Sequence, residues 1–303
     1  MTKTCSELFQ GMDCAIIGNG NEEVAGLAFR SDEVAPGDMF FCIVGTVVDG
    51  HSFAQDAIDR GATSLVAERK VYLADATDVT EVVVSDSRKA MAYASANYYD
   101  NPSRAFSLVG ITGTNGKTTT TYLVEHIASV AGNRCGVIGT VGNKIAGVME
   151  HAERTTPESP DLQKLFARMR DAGCTVVAME VSSHALDLRR TWDTDFAVTA
   201  FTNLTQDHLD YHHTFDDYFE AKALLFSKDY PARRVISIDG SWGRELLRRC
   251  TAAGDEVITT GFDVSAQIHP VEVTYEAART KAVLEVRGTR IAVEYPLVGR
   301  FNV

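Results

Sequence analysis

Long apolar runs and a basic leader are both missing from this sequence of 303 residues. No stretch approaches the ~20 consecutive apolar residues that cross a bilayer, so a membrane-spanning helix is not expected. The opening segment, MTKTCSELFQGMDC, lacks the basic region followed by an apolar one that is typical of a secretory signal. We therefore expect a cytoplasmic protein without a membrane partner.

Positive charge is scarce as well, because 29 Lys and Arg residues stand against 41 Asp and Glu residues and leave a net charge of −12. A nucleic-acid surface needs clustered Lys and Arg to neutralise phosphates, so no nucleic-acid partner is expected. The cysteines form no C-x-x-C pair, which argues against a zinc site or a disulfide framework. We predict reduced, structural thiols at Cys5, Cys14, Cys42, Cys135, Cys174 and Cys250.

The length corresponds to about two domains of ~150 residues each. We predict a boundary after the helix that Asn101-Pro102 ends, because the residue before proline avoids the helical conformation. The first domain, residues 1–103, is then a small mixed α/β domain. Its predicted strands are 39–45, 64–68 and 81–86, and its predicted helices are 53–61 and 88–100.

The second domain, residues 104–303, alternates apolar strands with helices, which is typical of a parallel sheet covered on both faces. The predicted strands are 107–112, 134–140, 175–180, 196–203 and 234–239. The predicted helices lie near 117–131, 158–172, 215–228 and 241–253. Alternating patterns at 271–277, 281–288 and 289–297 predict a small antiparallel region. The fold class is therefore α/β.

The segment SLVGITGTNGKTTTTYLVEHI places a glycine-rich loop between an apolar strand and a helix. Gly113 and Gly116 would let successive backbone N–H groups face an anion at the helix N-terminus. Lys117 would then reach nucleotide phosphates, and the Thr118 hydroxyl would hold Mg²⁺. The strict G-x-x-x-x-G-K-[ST] pattern needs glycine where Ile111 stands, so an ordinary glycine-rich turn stays the alternative.

Polar residues also follow two other strands at their carboxyl ends, where ligands bind in such sheets. Glu180 ends the strand TVVAME and offers a carboxylate to Mg²⁺, although an isolated glutamate there is usually a solvated rim residue. His208 follows the strand that ends at Asn203 and is a candidate metal ligand. The sequence H-L-D-Y-H lacks the glutamate of zinc proteases, and His212 and His213 also fit a polar surface turn.

Five motifs, taken in order, resemble the Mur ligases, the ATP-dependent enzymes that build the peptidoglycan stem peptide. They are GITGTNGKTTT, TTPES, MEVSSHALDLRR, FTNLTQDHLDYHHTFDDYFEAK and PLVGRFN, and together they span nearly the whole chain. The phosphate loop of that family reads G-x-x-G-T-N-G-K-T, which accommodates Ile111. The MEVSSHAL and DHLDYH blocks are most similar to the members that add the third amino acid.

The resemblance implies an ATP site formed by Gly113, Thr114, Asn115, Gly116, Lys117, Thr118 and Thr119. It implies catalytic roles for Lys117, His208 and Lys222. It also implies Mg²⁺ ligands at Thr118 and Glu180 and, for a second ion, at His208 and a carbamylated Lys222. Spacing by itself makes Lys222 an ordinary surface lysine paired with an acid. The implied contacts to a UDP-substrate are Ser31, Thr46, Val47, Val48, Thr155, Thr156, Ser182 and Arg190.

The implied reaction is ATP-dependent addition of diaminopimelate or lysine to UDP-N-acetylmuramoyl-L-alanyl-D-glutamate through an acyl phosphate. We expect a monomer. Because the family carries a further C-terminal domain and this sequence stops at VGRFNV, we expect a fragment that binds both substrates but turns over poorly. Two alternatives stay open, a folylpolyglutamate synthase-like ligase and a non-catalytic nucleotide-binding module. Residues 1–100 argue against the first of them.

Overall fold

A computed structural model describes residues 2–45, 48–71 and 78–302 of the chain. The chain divides into two compact units. Unit 1 comprises residues 1–103, 157–168 and 188–194, and unit 2 comprises residues 104–156, 169–187 and 195–303. Because two later segments belong to unit 1, the division into domains at residue 103 stays a prediction.

Unit 1 is built on a five-stranded sheet and a separate two-stranded pair. Its strands are β1 (Lys3–Thr4), β2 (Ala15–Ile17), β3 (Glu23–Val24), β4 (Gly26–Ala28), β5 (Asp38–Phe41), β6 (Ser64–Ala67) and β7 (Thr80–Val83). Its helices are α1 (Cys5–Leu8), α2 (Ala54–Asp59) and α3 (Ser87–Tyr98). The larger sheet has the order β2-β7-β6-β5-β4, and β2 is antiparallel to β7 while the other pairs are parallel.

Helices cover this sheet on both faces, which explains the continuous apolar run of β5. Met39 and Phe41 pack into a core cluster that includes residues of α1 and α3. Phe40 packs into a second cluster that includes residues of α2. Because successive side chains of a strand point to opposite faces, a strand that is covered on both sides must be apolar throughout.

Unit 2 contains one sheet of 11 strands. They are β8 (Ser107–Thr112), β9 (Cys135–Gly139), β10 (Gly142–Ile145), β11 (Val148–Glu150), β12 (Val176–Glu180), β13 (Val198–Phe201), β14 (Arg233–Ser237), β15 (Val257–Thr260), β16 (Ile268–Tyr275), β17 (Thr280–Val286) and β18 (Thr289–Tyr295). The helices that follow in the chain are α4 (Lys117–Val130), α5 (Ser159–Asp171), α6 (Ser183–Asp187), α7 (Leu209–His212), α8 (Phe215–Ala223) and α9 (Ser241–Ala252). The first part of α5 lies in unit 1.

The order of the strands determines where the loops of unit 2 meet. The sheet runs β11-β10-β9-β12-β8-β13-β14-β15-β16-β17-β18, and its central strands from β9 through β12 and β8 to β15 are parallel. Strand β8 lies between β12 and β13, so the loop after β8 emerges beside the carboxyl ends of both neighbours. The prediction of an α/β fold with a parallel sheet and an antiparallel region is confirmed.

Several elements of unit 2 differ from the sequence prediction. The hairpin of β10 and β11 was not predicted, because β10 is four residues long and carries Gly, Asn and Lys, and β11 has only three residues, none of them buried. Strand β15 was not predicted either. Helix α8 ends at Ala223 and continues as a 3₁₀ turn over Leu224–Phe226. No helix in the described ranges is long and apolar enough to cross a membrane.

Candidate functional site

The loop between β8 and α4 has a backbone that only glycine adopts easily. Gly113 has φ of +146° and Gly116 has φ of +86°, both in the range that side chains disfavour. A Cβ on Gly113 would also overlap the hydroxyl oxygen of Thr202. The two glycines therefore let the chain turn sharply and approach the end of β13 closely.

Helix α4 begins directly after this loop, with Gly116 as its N-cap residue. Because glycine has no side chain, Gly116 makes no side-chain hydrogen bond to the N–H groups at the helix start. The first-turn N–H groups of Lys117, Thr118 and Thr119 have no acceptor inside the helix. Together with the positive end of the helix dipole, they form a site that suits a phosphate group.

Lys117 is folded back onto the loop that precedes it. Its Nζ donates hydrogen bonds to the carbonyl oxygens of Gly113 at 3.0 Å and Thr114 at 2.8 Å. Burial lowers the pKa of Lys117, while the nearby carboxylates of Glu180 and Asp207 act to raise it. A phosphate at the helix start would offer this ammonium group stronger, charged acceptors than carbonyl oxygens.

Glu180 ends β12 and is 1% exposed, so it is not the solvated rim residue that an isolated glutamate would be. Its Oε1 accepts hydrogen bonds from the Thr118 hydroxyl and the Thr140 backbone N–H, each at 2.9 Å. The Thr140 hydroxyl donates to its Oε2 at 3.3 Å. A Cβ on Gly139 would overlap this carboxylate. The ends of β9 and β12 and the start of α4 thus hold the carboxylate in one place.

Lys222 of α8 is also 1% exposed. The prediction from spacing alone, that Lys222 lies on the surface, is therefore wrong. Its Nζ donates to the Gly113 carbonyl at 2.9 Å and lies 4.3 Å from the ring centroid of Tyr218. Burial lowers the pKa of Lys222 from its usual 10.5 to about 7, and the positive charge of Lys117 acts in the same direction. A large fraction of this amine is therefore uncharged at neutral pH.

The histidines occupy different environments. His208 lies just before α7 with φ of +51°, and its ring centroid is 4.9 Å from that of His184. His212 is buried, and its Nε2 is 2.9 Å from the hydroxyl oxygen of Ser183. For His212, the alternative prediction of a polar surface turn is therefore wrong. Burial lowers the pKa of His212. His213 is exposed.

Two of the predicted substrate contacts are tied to the Glu180 region by hydrogen bonds. The Thr155 hydroxyl lies 3.0 Å from the Thr140 hydroxyl. The Thr156 hydroxyl donates to the carbonyl of Glu180 at 2.8 Å and accepts from the Ser182 N–H at 3.1 Å. These contacts place Thr155 and Thr156 beside the MEVSS motif.

Most of the predicted residues of unit 2 line one cavity of about 210 Å³. Its lining residues are Lys117, Thr118, Thr140, Thr155, Glu180, Ser182, Ser183, His208 and Lys222. Sequence reasoning missed Thr140 and did not assign Ser183. The missed signal for Thr140 is its position at the end of a parallel strand neighbouring β12.

The remaining predicted substrate contacts belong to unit 1. The Arg190 guanidinium lies 2.9 Å from the Glu158 carboxylate, and Ser31 begins a short 3₁₀ turn. Val48 is exposed, whereas Thr46 and Val47 lie outside the described residues. The roles of all these residues stay predictions.

The oxygens at the cavity fit Mg²⁺. In the ranges that the structure describes, no group of three His, Cys, Asp or Glu side chains is arranged to hold a metal by itself. Mg²⁺ is usually bound in proteins by one or two carboxylates together with substrate phosphates and water. Because the Glu180 carboxylate and the Thr118 hydroxyl adjoin the start of α4, where the N–H groups suit a phosphate, these donors match that chemistry.

Two family models together match most of the sequence. Residues 111–303 match the model described as Mur ligase middle domain, and residues 23–111 match the model described as Mur ligase family, catalytic domain. The sequence is 43% identical over 291 residues to UDP-N-acetylmuramoyl-L-alanyl-D-glutamate--2,6-diaminopimelate ligase of Geobacillus thermodenitrificans. That match covers 94% of this chain and 58% of the relative, so the chain spans less than two thirds of the relative's length.

Solved structures show similar folds. A structure of UDP-N-acetylmuramoyl-L-alanyl-D-glutamate--2,6-diaminopimelate ligase matches with a TM-score of 0.85 and 26% identity, covering 100% of this chain and 61% of the other. A folylpolyglutamate synthase of Mycobacterium tuberculosis, complexed with ADP and AMPPCP, matches with a TM-score of 0.58 and 17% identity. The match covers 70% of this chain and 55% of the synthase chain, and it shows a similarity of fold alone.

Proposed function

The chain belongs to the Mur ligase family, and from that premise we propose that it forms the ATP-binding and UDP-substrate-binding part of an amide ligase. The ligase adds diaminopimelate to UDP-N-acetylmuramoyl-L-alanyl-D-glutamate, the reaction for which its 43% identical relative is named. The observation that supports this proposal is the cavity lined by the phosphate loop, the Glu180 carboxylate and the Lys222 amine. The folate-type alternative has only a likeness of fold in its favour.

The phosphate loop receives the triphosphate of ATP. The N–H groups of Lys117, Thr118 and Thr119 bind phosphate oxygens at the start of α4. The Lys117 ammonium moves from its carbonyl partners to the phosphates and neutralises part of their charge. This neutralisation lets an anionic carboxylate approach a phosphorus atom.

Mg²⁺ supplies further neutralisation of the phosphate charge when it is bound. Thr118 and Glu180 would hold one ion, because their oxygens already lie within 2.9 Å of each other at the cavity. His208 and a carbamylated Lys222 would hold a second, since both line the same cavity. An unmodified lysine ammonium would repel the ion, so the carbamate is part of the proposal.

Formation of the carbamate follows from the environment of Lys222. An uncharged amine attacks the carbon of CO₂, a nitrogen–carbon bond forms, and one proton leaves, so the neutral side chain becomes an anionic one. Burial gives Lys222 a pKa of about 7, which makes the reacting form abundant at neutral pH. The resulting carboxylate-like oxygens suit Mg²⁺.

The reaction proceeds by activation of the substrate's carboxylate. The D-glutamate γ-carboxylate of the UDP-substrate attacks the γ-phosphorus of ATP, which gives an acyl phosphate and ADP. The amine of diaminopimelate then attacks the acyl carbon, loses a proton and expels phosphate. Ser31, Thr46, Val47, Val48, Thr155, Thr156, Ser182 and Arg190 are the proposed contacts to the UDP-substrate.

Calorimetric titration of this chain tests the proposal. We expect UDP-N-acetylmuramoyl-L-alanyl-D-glutamate to bind at least about tenfold more tightly than the same nucleotide without D-glutamate. Lys117→Met should abolish Mg-ATP binding and spare the UDP-substrate, whereas Lys228→Met, at an exposed lysine, should change neither. Equal affinity for the two UDP compounds would contradict the assignment to the third step.

The carbamate has a separate test. We expect a new carbamate carbon resonance when the protein is equilibrated with ¹³C-labelled bicarbonate near pH 8, decreasing below about pH 7 as Lys222 takes up its proton. Lys222→Arg should remove the resonance, and Lys228→Arg should keep it. A resonance that survives Lys222→Arg would place the carbamate elsewhere.

A further inference from the structure

The phosphate loop is held from outside by the segment that follows β13. Strand β13 pairs with β8 in parallel register, with Phe201 opposite Thr112, so the two strands end side by side. The loop after β8 and the segment 202–205 after β13 therefore run next to each other. Neither Gly113 nor Gly116 contributes a side chain to hold the loop, so its shape depends on such neighbours.

Asn203 bonds to Asn115 of the loop in both directions. The Asn115 backbone N–H donates to Asn203 Oδ1 at 2.9 Å, and Asn203 Nδ2 donates to the Asn115 carbonyl at 3.1 Å. The backbone carbonyl of Asn203 also accepts from the Thr114 N–H at 2.9 Å. A side-chain amide offers one acceptor and one donor group at the required spacing, which neither a carboxylate nor a hydroxyl reproduces.

Two threonines strengthen this attachment. The Thr202 hydroxyl donates to the Asn115 carbonyl at 2.7 Å, and Asn115 Nδ2 donates to the Thr205 hydroxyl at 3.2 Å. The Thr205 N–H in turn donates to the Thr114 hydroxyl at 3.0 Å. These bonds end on Thr114 and Asn115, directly before the N–H groups that face the phosphate.

We propose that Asn203 is a positioning residue for ATP binding, and this rests on the proposed role of the phosphate loop. By holding Asn115 at both its N–H and its carbonyl, Asn203 fixes the path of the chain into Gly116 and the first turn of α4. A glycine-containing loop loses much conformational freedom when it is ordered. Ordering it before ATP arrives removes that cost from binding, so Asn203 raises affinity without touching the nucleotide.

The test compares Mg-ATP affinity and thermal stability in variants of the 303-residue chain. Asn203→Ala should raise the Kd for Mg-ATP by about tenfold, and the isosteric Thr202→Val by about threefold, with Thr202→Ser close to wild type. The matched control is Asn133→Ala, whose side-chain amide likewise makes two bonds, donating to the Ala128 carbonyl at 3.2 Å and accepting from the Thr175 hydroxyl at 3.0 Å, at the other end of α4. It should leave the Kd unchanged.

The possible results separate positioning from structural support. If Asn203→Ala lowers the melting temperature as Asn133→Ala does but binds Mg-ATP with the wild-type Kd, Asn203 is only structural and the inference is overturned. If Asn203→Ala does not fold, Thr202→Val decides, and a wild-type Kd there overturns the inference equally. If the wild-type chain itself binds no ATP, the proposed function has failed, and the inference fails with it.

Discussion

At the scale of single residues, burial determines the chemistry of the site. Glu180 and Lys222 are each 1% exposed. In the part of the chain that the structure describes, no hydrogen bond or ion pair joins these two side chains. The carboxylate is held by hydroxyl and N–H donors, while the lysine is close to a second lysine, Lys117. Such a site is suited to ligands that bring both negative phosphates and metal ions.

Lys222 should make the stability of the fold depend on pH. Its pKa is about 7 in the folded chain and near 10.5 when unfolded. Between these values the unfolded chain binds the extra proton, so stability rises with pH across that window. In CO₂-free buffer we expect Lys222→Met to be more stable than wild type by on the order of 4 kcal/mol near pH 7, the gap closing towards about pH 10.

Urea unfolding at several pH values measures this gap. Lys228→Met, which changes an exposed lysine, should show no gap at any pH. A gap for Lys222→Met that does not change with pH would mean that its origin is packing and not the buried charge.

The thiols provide a second prediction at this scale. All six cysteines are free, and Cys14 alone among them is not fully buried. Burial raises the pKa of Cys5 and of Cys42 to about 12, so neither forms the reactive thiolate readily. We expect one thiol to react quickly with a chromogenic disulfide in the native protein and six in denaturant. The fast phase should disappear in Cys14→Ser; its persistence would show that another cysteine is accessible.

At the scale of elements, the site is formed where parallel strands end. Strands β8, β9, β12 and β13 deliver the phosphate loop, Thr140, Glu180 and Asn203 to one edge of the sheet. Parallel strands make this possible because all their carboxyl ends lie on the same side. The buried side of helix α8 then adds Lys222 from outside the sheet.

The end of β9 is the element most sensitive to a small change. Gly139→Ala would place a methyl group against the Glu180 carboxylate, so we expect the Kd for Mg-ATP to rise by about tenfold. Gly240→Ala is the matched control, because its Cβ would meet no atom within 4 Å and its φ is −102°. Calorimetry with and without Mg²⁺ measures both. Unchanged Mg-ATP affinity in Gly139→Ala would show that the carboxylate position is unimportant for binding.

At the scale of the whole molecule, the two compact units are interleaved in sequence. Unit 1 takes residues 157–168 and 188–194 from the middle of the chain. Within it, Glu158 lies 3.6 Å from Arg88 as well as 2.9 Å from Arg190, and the Lys89 ammonium lies 4.2 Å from the Trp192 ring centroid. These contacts join residues on both sides of the predicted boundary at residue 103.

Cutting the chain at that boundary should therefore destabilise it. We expect residues 104–303 produced alone to melt at a lower temperature or to aggregate, because Glu158 and Trp192 lose Arg88 and Lys89. Co-expression with residues 1–103 should restore a soluble complex. The control is a chain nicked after residue 103 by a protease, which keeps both pieces. Scanning calorimetry decides, and an unchanged melting temperature for residues 104–303 alone would contradict the interleaved arrangement.

Local patterns in the sequence were sufficient to predict the α/β architecture and the glycine-rich loop between a strand and a helix, and five motifs carried the resemblance to the family. Apolar periodicity and glycine's conformational freedom act over a few neighbouring residues, so SLVGITGTNGKT predicts a strand, a turn and a helix start wherever it occurs. The hairpin of β10 and β11 was missed because its strands have only four and three residues, and pairing rather than propensity stabilises them.

Tertiary structure decided which polar side chains come into contact and how strongly each is desolvated. Lys222 reaches the Gly113 carbonyl across 109 positions of sequence, and Asn203 reaches Asn115 across 88. His212 reaches Ser183 across 29. No local pattern encodes such distances or the burial that lowers the pKa of Lys222 to about 7. They arise only when parallel strands align their ends and α8 packs beside them, because desolvation depends on every neighbour at once.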